Sequence, residues 1–387
     1  MEPTSWILIV VILLVVVFAG RRVIGGGERR RSDIDPIYVR GLEALAKGNT
    51  NEAIQLLKAS IESNPSSVAP YLLLGDLLRD KGDFERSLKI HRELSVRPNL
   101  DRDKKILVLK SLVRDQIELG QYQGAIETCK KALELDKKDH EALELLLISY
   151  EGNRMWDEAI EIAKRIAKLF MADGKSYIAH YLSFVAKMEC EQDRESAKKK
   201  LKSALSYDPS CPPAQIYLGD IYFEEKNYDK AIEVWGSLLE KNPEAIRDLS
   251  TRLEKAYFEG GHFGRMTEVY ESLSHDLPSN PDVLIGLSRM YYRRGEIDAA
   301  LRLAHEARDL DATNPEMYHT LIELYSEKED HQPLHSLLKE YFLEGASRFR
   351  RFECKFCSYS AEESFSKCPQ CKSWQIDFQK KAQSKGE

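Results

Sequence analysis

The sequence predicts an all-α chain: a superhelical solenoid of about nine helical hairpins, with an N-terminal transmembrane helix and a small C-terminal four-cysteine module. Three observations predict it. Segments through the middle of the chain recur at a period near 34 residues. Trp6–Gly20, WILIVVILLVVVFAG, carries no charge. Cys354, Cys357, Cys368 and Cys371 form two Cys-x-x-Cys pairs. The expected organisation is an anchor over 1–24, a basic tether over 25–33, repeats over 34–344, the cysteine module over 345–380 and a tail over 381–387.

The anchor comes first. Fifteen helical residues span only about 22 Å, short of a ~30 Å hydrocarbon core, whereas Thr4–Ile24 spans about 31 Å. Arg21 and Arg22 have stems long enough to reach the headgroups, and Trp6 suits the opposite interface. A cleaved signal peptide needs a basic leader and a small-residue cleavage site; the leader here is MEPTS and Arg21 follows the apolar run. Arg21, Arg22, Arg29, Arg30 and Arg31 all lie on the C-terminal side, which places the bulk of the chain on the cytoplasmic side of a membrane it crosses once. Gly25–Gly27 and the arginines after them read as a short tether favouring anionic lipid.

The repeats follow. GLEALAKGNTNEAIQLL at Gly41 aligns with GDLLRDKGDFERSLKIH at Gly75 and with GDIYFEEKNYDKAIEVW at Gly219. The pattern resembles the tetratricopeptide repeat, a 34-residue helix–turn–helix. A small residue on the second helix recurs at Ala53, Ser87, Ala125, Ala159, Ala197 and Ala231, and the same position falls on Met266, Ala300 and Leu334. Successive spacings are 34, 38, 34, 38, 34, 35, 34 and 34, so nine repeats fit. The small residue lets paired helices approach; the residue four later, such as Trp235 or Tyr270, fills the gap to the next repeat. Pro65, Pro209, Pro243 and Pro278 end second helices. The two four-residue excesses lengthen loops or helices near 98–105 and 170–178.

Stacked repeats curve into a groove lined by first helices. By the repeat's usual geometry, Ile216, Asp220, Phe223, Ile285, Arg289 and Tyr292 line it, a polar and apolar mixture suited to a protein partner. Charge is unevenly spread. Residues 1–31 carry five arginines against two acids, residues 345–387 nine bases against five acids, and the middle 43 bases against 56 acids. An acidic centre repels a phosphate backbone. There is no Gly-x-Ser-x-Gly, Walker A, His-Glu-x-x-His or Gly-x-Gly-x-x-Gly, so no enzyme is expected.

Two thiolates three residues apart on a tight turn grip one edge of a tetrahedral ion, and a second turn grips the other. Cys354, Cys357, Cys368 and Cys371 are the expected metal ligands, leaving no open position; zinc is favoured, with iron as the alternative. Such knuckles usually carry Gly after the second Cys, where Ser358 and Lys372 stand here. Cys129 reads as a small buried hydrophobe. The join to the repeats has no Pro and a single Gly345, so the module is expected to dock on the array through Phe349, Phe352 and Trp374.

An anchor, nine such repeats and a CKFC…CPQC ending in under 400 residues resemble the lipopolysaccharide assembly protein B family of Gram-negative bacteria over essentially the whole chain. The resemblance implies an adaptor, not an enzyme, on the cytoplasmic face of the inner membrane. Its partners would be a membrane AAA+ zinc protease, the deacetylase that commits carbon to lipid A, inner-membrane lipid and, as a further candidate, lipopolysaccharide. It implies control of lipopolysaccharide amount by proteolysis, a rubredoxin-like metal module at Cys354, Cys357, Cys368 and Cys371, and a membrane segment at Trp6–Gly20. No motif fixes partner contacts, and a homo-oligomer stays open. A scaffold or chaperone for envelope enzymes is the alternative. A nucleic-acid-binding ribbon using Arg348, Arg350, Arg351, Phe352 and Trp374 is opposed by the acidic middle and the anchor, so no nucleic acid is expected.

Overall fold

The computed structural model describes residues 35–98, 100–344, 352–361, 367–371 and 373–374. The anchor and tether expected over 1–33 lie outside the described residues, as do Phe349, Lys372 and the side chain of Phe352. Among the described residues no helix is long and apolar enough to cross a membrane.

Among the described residues eighteen α-helices follow one another, two for each of the nine repeats that the spacing of small residues predicts. They are α1 (Pro36–Ala46) and α2 (Thr50–Ser63), α3 (Ala69–Asp80) and α4 (Phe84–Ser95), α5 (Arg102–Glu118) and α6 (Tyr122–Leu135). Then come α7 (His140–Gly152) and α8 (Trp156–Phe170), α9 (Gly174–Glu189) and α10 (Arg194–Tyr207), α11 (Pro212–Glu224) and α12 (Tyr228–Lys241). The last three are α13 (Ile246–Glu259) and α14 (Phe263–Asp276), α15 (Pro281–Arg293) and α16 (Ile297–Leu310), α17 (Pro315–Glu327) and α18 (His331–Lys339). Two compact units divide after Leu119, so α1–α5 belong to the first and α6–α18 to the second.

Local chemistry sets the boundaries. Asp139 accepts from the Ala142 N–H at 2.7 Å and Asp193 from the Ser196 N–H at 2.9 Å, capping α7 and α10. Where proline follows a second helix, the residue between them is pushed out of the helical region: Asn64 (φ −140°), Asp208 (φ −141°) and Asn242 (φ −142°) precede Pro65, Pro209 and Pro243. Most turns between the two helices of a repeat hold a left-handed residue, the turn between α9 and α10 excepted. Gly82 and Gly295 supply it at φ 80°, but Arg154, Lys226 and Glu329 adopt φ 57°, 61° and 54° with a side chain present.

The small position does what its spacing implies. Ala53, Ser87, Ala125, Ala159, Ala197, Ala231 and Ala300 are fully buried, as is the larger Met266; Leu334 alone is only half-buried. On the facing first helix a glycine admits a large side chain: a Cβ on Gly219 would overlap the Trp235 indole, and one on Gly75 the His91 ring. Trp235 is 1% exposed and its Nε1–H donates to Ile216 O at 3.1 Å. The two 38-residue spacings lengthen first helices: α5 has 17 residues and α9 has 16, against 11 to 14 for α1 and α13.

Candidate metal centre and its seat on the repeats

The module is two short hairpins. In the first, β1 (Phe352–Glu353) pairs antiparallel with β2 (Ser360–Ala361), and Cys354 and Cys357 sit on the turn between them. Cys354 N–H donates to Tyr359 O at 2.7 Å. In the second, Lys367 bridges Trp374 antiparallel, and Cys368 N–H donates to Ser373 O at 2.8 Å. The turns are alike because each must present two thiols on one side, with N–H groups of Phe356 and Cys371 aimed at the first sulfur of each pair (3.4 and 3.5 Å). Ser358, where a glycine is usual, takes φ 56°, so the first knuckle is strained there.

All four Sγ atoms lie within 4.8 Å of one another. Cys354 and Cys371 are 3.5 Å apart, Cys357 and Cys368 3.7 Å. Four sulfurs about 2.3 Å from one tetrahedral ion stand about 3.8 Å from each other, so the donor set fits a metal of zinc's size. Its electrostatics ask for a cation. The Ser373 hydroxyl and N–H pull the Cys371 thiol down to about 6. Although a Tyr359 backbone hydrogen bond lowers Cys357, desolvation and the thiols beside it drive that group up to about 12. Four thiols this close cannot all ionise without a positive ion among them.

The open end of the second hairpin is seated on α7 and α9. The Lys367 ammonium donates to Glu151 Oε1 at 2.6 Å, with only 8% and 12% of the two side chains exposed. The Tyr181 hydroxyl donates to the same oxygen at 3.0 Å. Trp374 stands against three rings of α9, with centroids 6.0 Å from Tyr177, 6.3 Å from Tyr181 and 6.1 Å from Phe184. Lys367 Nζ lies 4.8 Å from the Phe184 centroid and 5.6 Å from that of Trp374. Burial, then the Glu151 charge, holds the Tyr177 and Tyr181 phenols protonated well above their usual range.

Of the residues expected to line a groove, Ile285 is 1% exposed and lies in the core, and Arg289 is committed to Glu254. Arg289 Nη2 donates to Glu254 Oε1 at 2.6 Å, and the Tyr270 hydroxyl donates to it at 2.7 Å. Asp220 accepts from Arg252 Nε at 2.7 Å; Ile216, Phe223 and Tyr292 are half-buried. Sequence reasoning did not find Lys367, Glu151 or the Tyr177–Tyr181–Phe184 stripe. Its available signal was the 38-residue spacing, which falls on α9. Nor did it find the cluster of Ser87, His91 and Asp115 in the first unit. There Ser87 Oγ donates to Asp115 Oδ1 at 2.7 Å, His91 Nδ1 is 2.5 Å from Oδ2 and Arg79 Nη1 donates to Oδ1 at 3.0 Å. The serine hydroxyl is spent on the carboxylate and wholly buried, so the trio braces the repeats and offers no nucleophile. Cys129, 1% exposed with burial pushing its thiol up to about 12, is packing.

Family models described as tetratricopeptide repeat match residues 38–93, 116–139 and 191–253. The chain is 24% identical over 352 residues to lipopolysaccharide assembly protein B of Haemophilus influenzae, covering 87% of this chain and 88% of that one. It is 25% identical over 345 residues to the protein of the same name in Escherichia coli K12, covering 87% of each. The TPR repeat-containing protein YpiA of Bacillus subtilis is 24% identical over 300 residues, or 76% of this chain and 68% of that protein. Eighteen helices among the described residues, the four-cysteine pair of knuckles and these matches together give a solenoid of tetratricopeptide repeats that is similar along most of its length to lipopolysaccharide assembly protein B.

Proposed function

We propose that this protein is a non-enzymatic adaptor in lipopolysaccharide assembly, anchored in the inner membrane through Trp6–Gly20 with its repeats on the cytoplasmic side. The observation that carries the reading is the match, over 87% of this chain, to two proteins named for lipopolysaccharide assembly, joined to a stacked-repeat fold that offers binding faces. Cys354, Cys357, Cys368 and Cys371 hold one zinc, or iron, in a closed site. The four thiolates supply structure, because a segment of this length cannot fold on its own core.

In its finer form, the adaptor brings the lipid A pathway deacetylase to a membrane AAA+ protease and so limits lipopolysaccharide amount. Restricting both partners to one surface raises their effective concentration without any new contact. The half-exposed first-helix residues Ile216, Asp220, Phe223 and Tyr292 are candidate partner contacts, and Ile285 and Arg289 act behind them as core. Depletion in the native cell, with deacetylase turnover and lipopolysaccharide measured together, tests the reading. A longer-lived deacetylase and excess lipopolysaccharide are expected. Unchanged turnover with disordered envelope assembly would instead favour a scaffold for biosynthetic enzymes.

A further inference from the structure

The contact between Lys367 and Glu151, with Trp374 beside it on α9, joins the cysteine site to the interior of the repeats. We infer that it is a metal-dependent latch, through which occupancy of the four-cysteine site controls whether the Tyr177–Tyr181–Phe184 face of α9 is covered. The inference rests on the reading that the cysteines hold a metal.

The covalent geometry links the two ends. One hairpin carries both halves of the device: Cys368 and Cys371 at its turn, Lys367 and Trp374 at its open end. The antiparallel bridge sets Lys367 and Trp374 side by side, which is how one ammonium reaches Glu151 while the neighbouring indole meets three rings. A hairpin of eight residues has no stability of its own in water. What fixes it is the ion shared with the first knuckle. Remove the ion, and Lys367 and Trp374 lose the bridge that aligns them.

The chemistry of the seat makes release reversible. A wholly apolar seam would resist opening. Here the seam also holds an ammonium and a carboxylate, 8% and 12% exposed, and both recover hydration when they part, so neither is left as an unpaired buried charge. Undocking uncovers Glu151 and an aromatic stripe at i, i+4 and i+7 on α9, a face complementary to a lysine beside an aromatic residue. The closed and open arrangements are therefore two states that a metal biases.

Linkage gives a test that does not depend on biological activity. If zinc favours docking by some factor, docking favours zinc by the same factor. Glu151 lies on α7, 217 residues before Cys368, and contributes no sulfur, so Glu151→Gln should still weaken zinc binding by about tenfold, within the usual range of coupling between sites. Zinc affinity is read on the full chain by competition with a chromophoric chelator, alongside hydrogen exchange over Gly174–Glu189. In the wild type, exchange in α9 should rise when zinc is removed and fall when it is restored. In Glu151→Gln it should stay high at zinc levels that protect the wild type. Trp374→Leu probes the link from the module side should Glu151→Gln disturb α7. Equal zinc affinity in wild type and both variants, or exchange in α9 indifferent to zinc, overturns the latch while leaving the metal site standing. A wild-type chain that takes up no zinc overturns both.

Discussion

Gly219 and Gly236 lie one hairpin arm apart and should respond to the same substitution with opposite signs. In a helix interior, Gly→Ala gains about 1 kcal/mol of intrinsic propensity. Nothing lies within 4 Å of where a Cβ on Gly236 would sit, so Gly236→Ala should keep most of that gain, about 0.5–1 kcal/mol. A Cβ on Gly219 would overlap the Trp235 indole, which is 1% exposed and holds a hydrogen bond to Ile216 O. Overpacking of this kind costs about 1–3 kcal/mol, and losing the indole hydrogen bond about 1 kcal/mol more. After the propensity gain, Gly219→Ala should be destabilising by about 2 kcal/mol. Repeat arrays open in blocks, so the assay is native-state hydrogen exchange over 212–241, with urea midpoints from helical circular dichroism beside it. Trp235→Leu should recover part of the loss in the Gly219→Ala background and be harmful alone. Should both alanine variants shift stability in the same direction, the interlocking of first-helix glycine with second-helix ring is not what sets the spacing of this pair.

Alkaline pH should loosen the second unit. Burial first, then Glu151 or Glu254, raises the phenols of Tyr177, Tyr181 and Tyr270 above their usual value of 10.0. A raised folded-state pKa gives stability that is fully present below the unfolded value and lost as pH climbs past it, at about 1.4 kcal/mol per pH unit for each group. Denaturation midpoints should therefore fall above about pH 10, and Tyr270→Phe should flatten the slope; an unchanged slope would count against the burial argument. Lys226 is exposed at φ 61°, so Lys226→Gly removes left-handed strain of about 1–2 kcal/mol and adds somewhat less in unfolded-chain entropy. A thermal midpoint that rises slightly is expected, and one that falls would mean the lysine side chain contributes more than its backbone costs.

What was legible in the sequence was whatever recurs or has fixed spacing. Ala53, Ala197 and Ala231 mark second helices because close helix approach favours a small side chain at one register position, and seven of the nine repeats place one there. Cys354, Cys357, Cys368 and Cys371 were legible because a tetrahedral ion imposes its own spacing. The misplacements have a common cause. A first helix is packed by neighbours on more than one side, so a 3.6-residue pattern cannot separate its groove side from its core side. Ile285 went to the core for that reason. Arg289 carries a charge, which suggests exposure, but Glu254 stands 35 residues earlier and neutralises it inside. Such pairing is invisible within one repeat and regular between them: Asp220 with Arg252 and Asn314 with Asp282 are each 32 apart. The module's seat was the least legible part. Tyr177, Tyr181 and Phe184 look like ordinary core aromatics of a helix, and only a partner 216 residues from Glu151 gives them their use.

That separation has a consequence for how the molecule is made. A stack of repeats grows by neighbour-to-neighbour contacts, each closing a loop of some thirty residues, and can begin from any hairpin. Closing a loop of 216 residues costs about 5 kcal/mol of chain entropy when the intervening chain is unfolded, and far less once α10–α18 have already formed. The Lys367–Glu151 contact should therefore be among the last to appear, and during synthesis it cannot form until residue 374 has left the ribosome. Until then α9 presents bare tyrosines to solvent. A nascent or truncated chain is thus distinguishable from a finished one by a single aromatic stripe, available to any chaperone or protease that binds exposed rings.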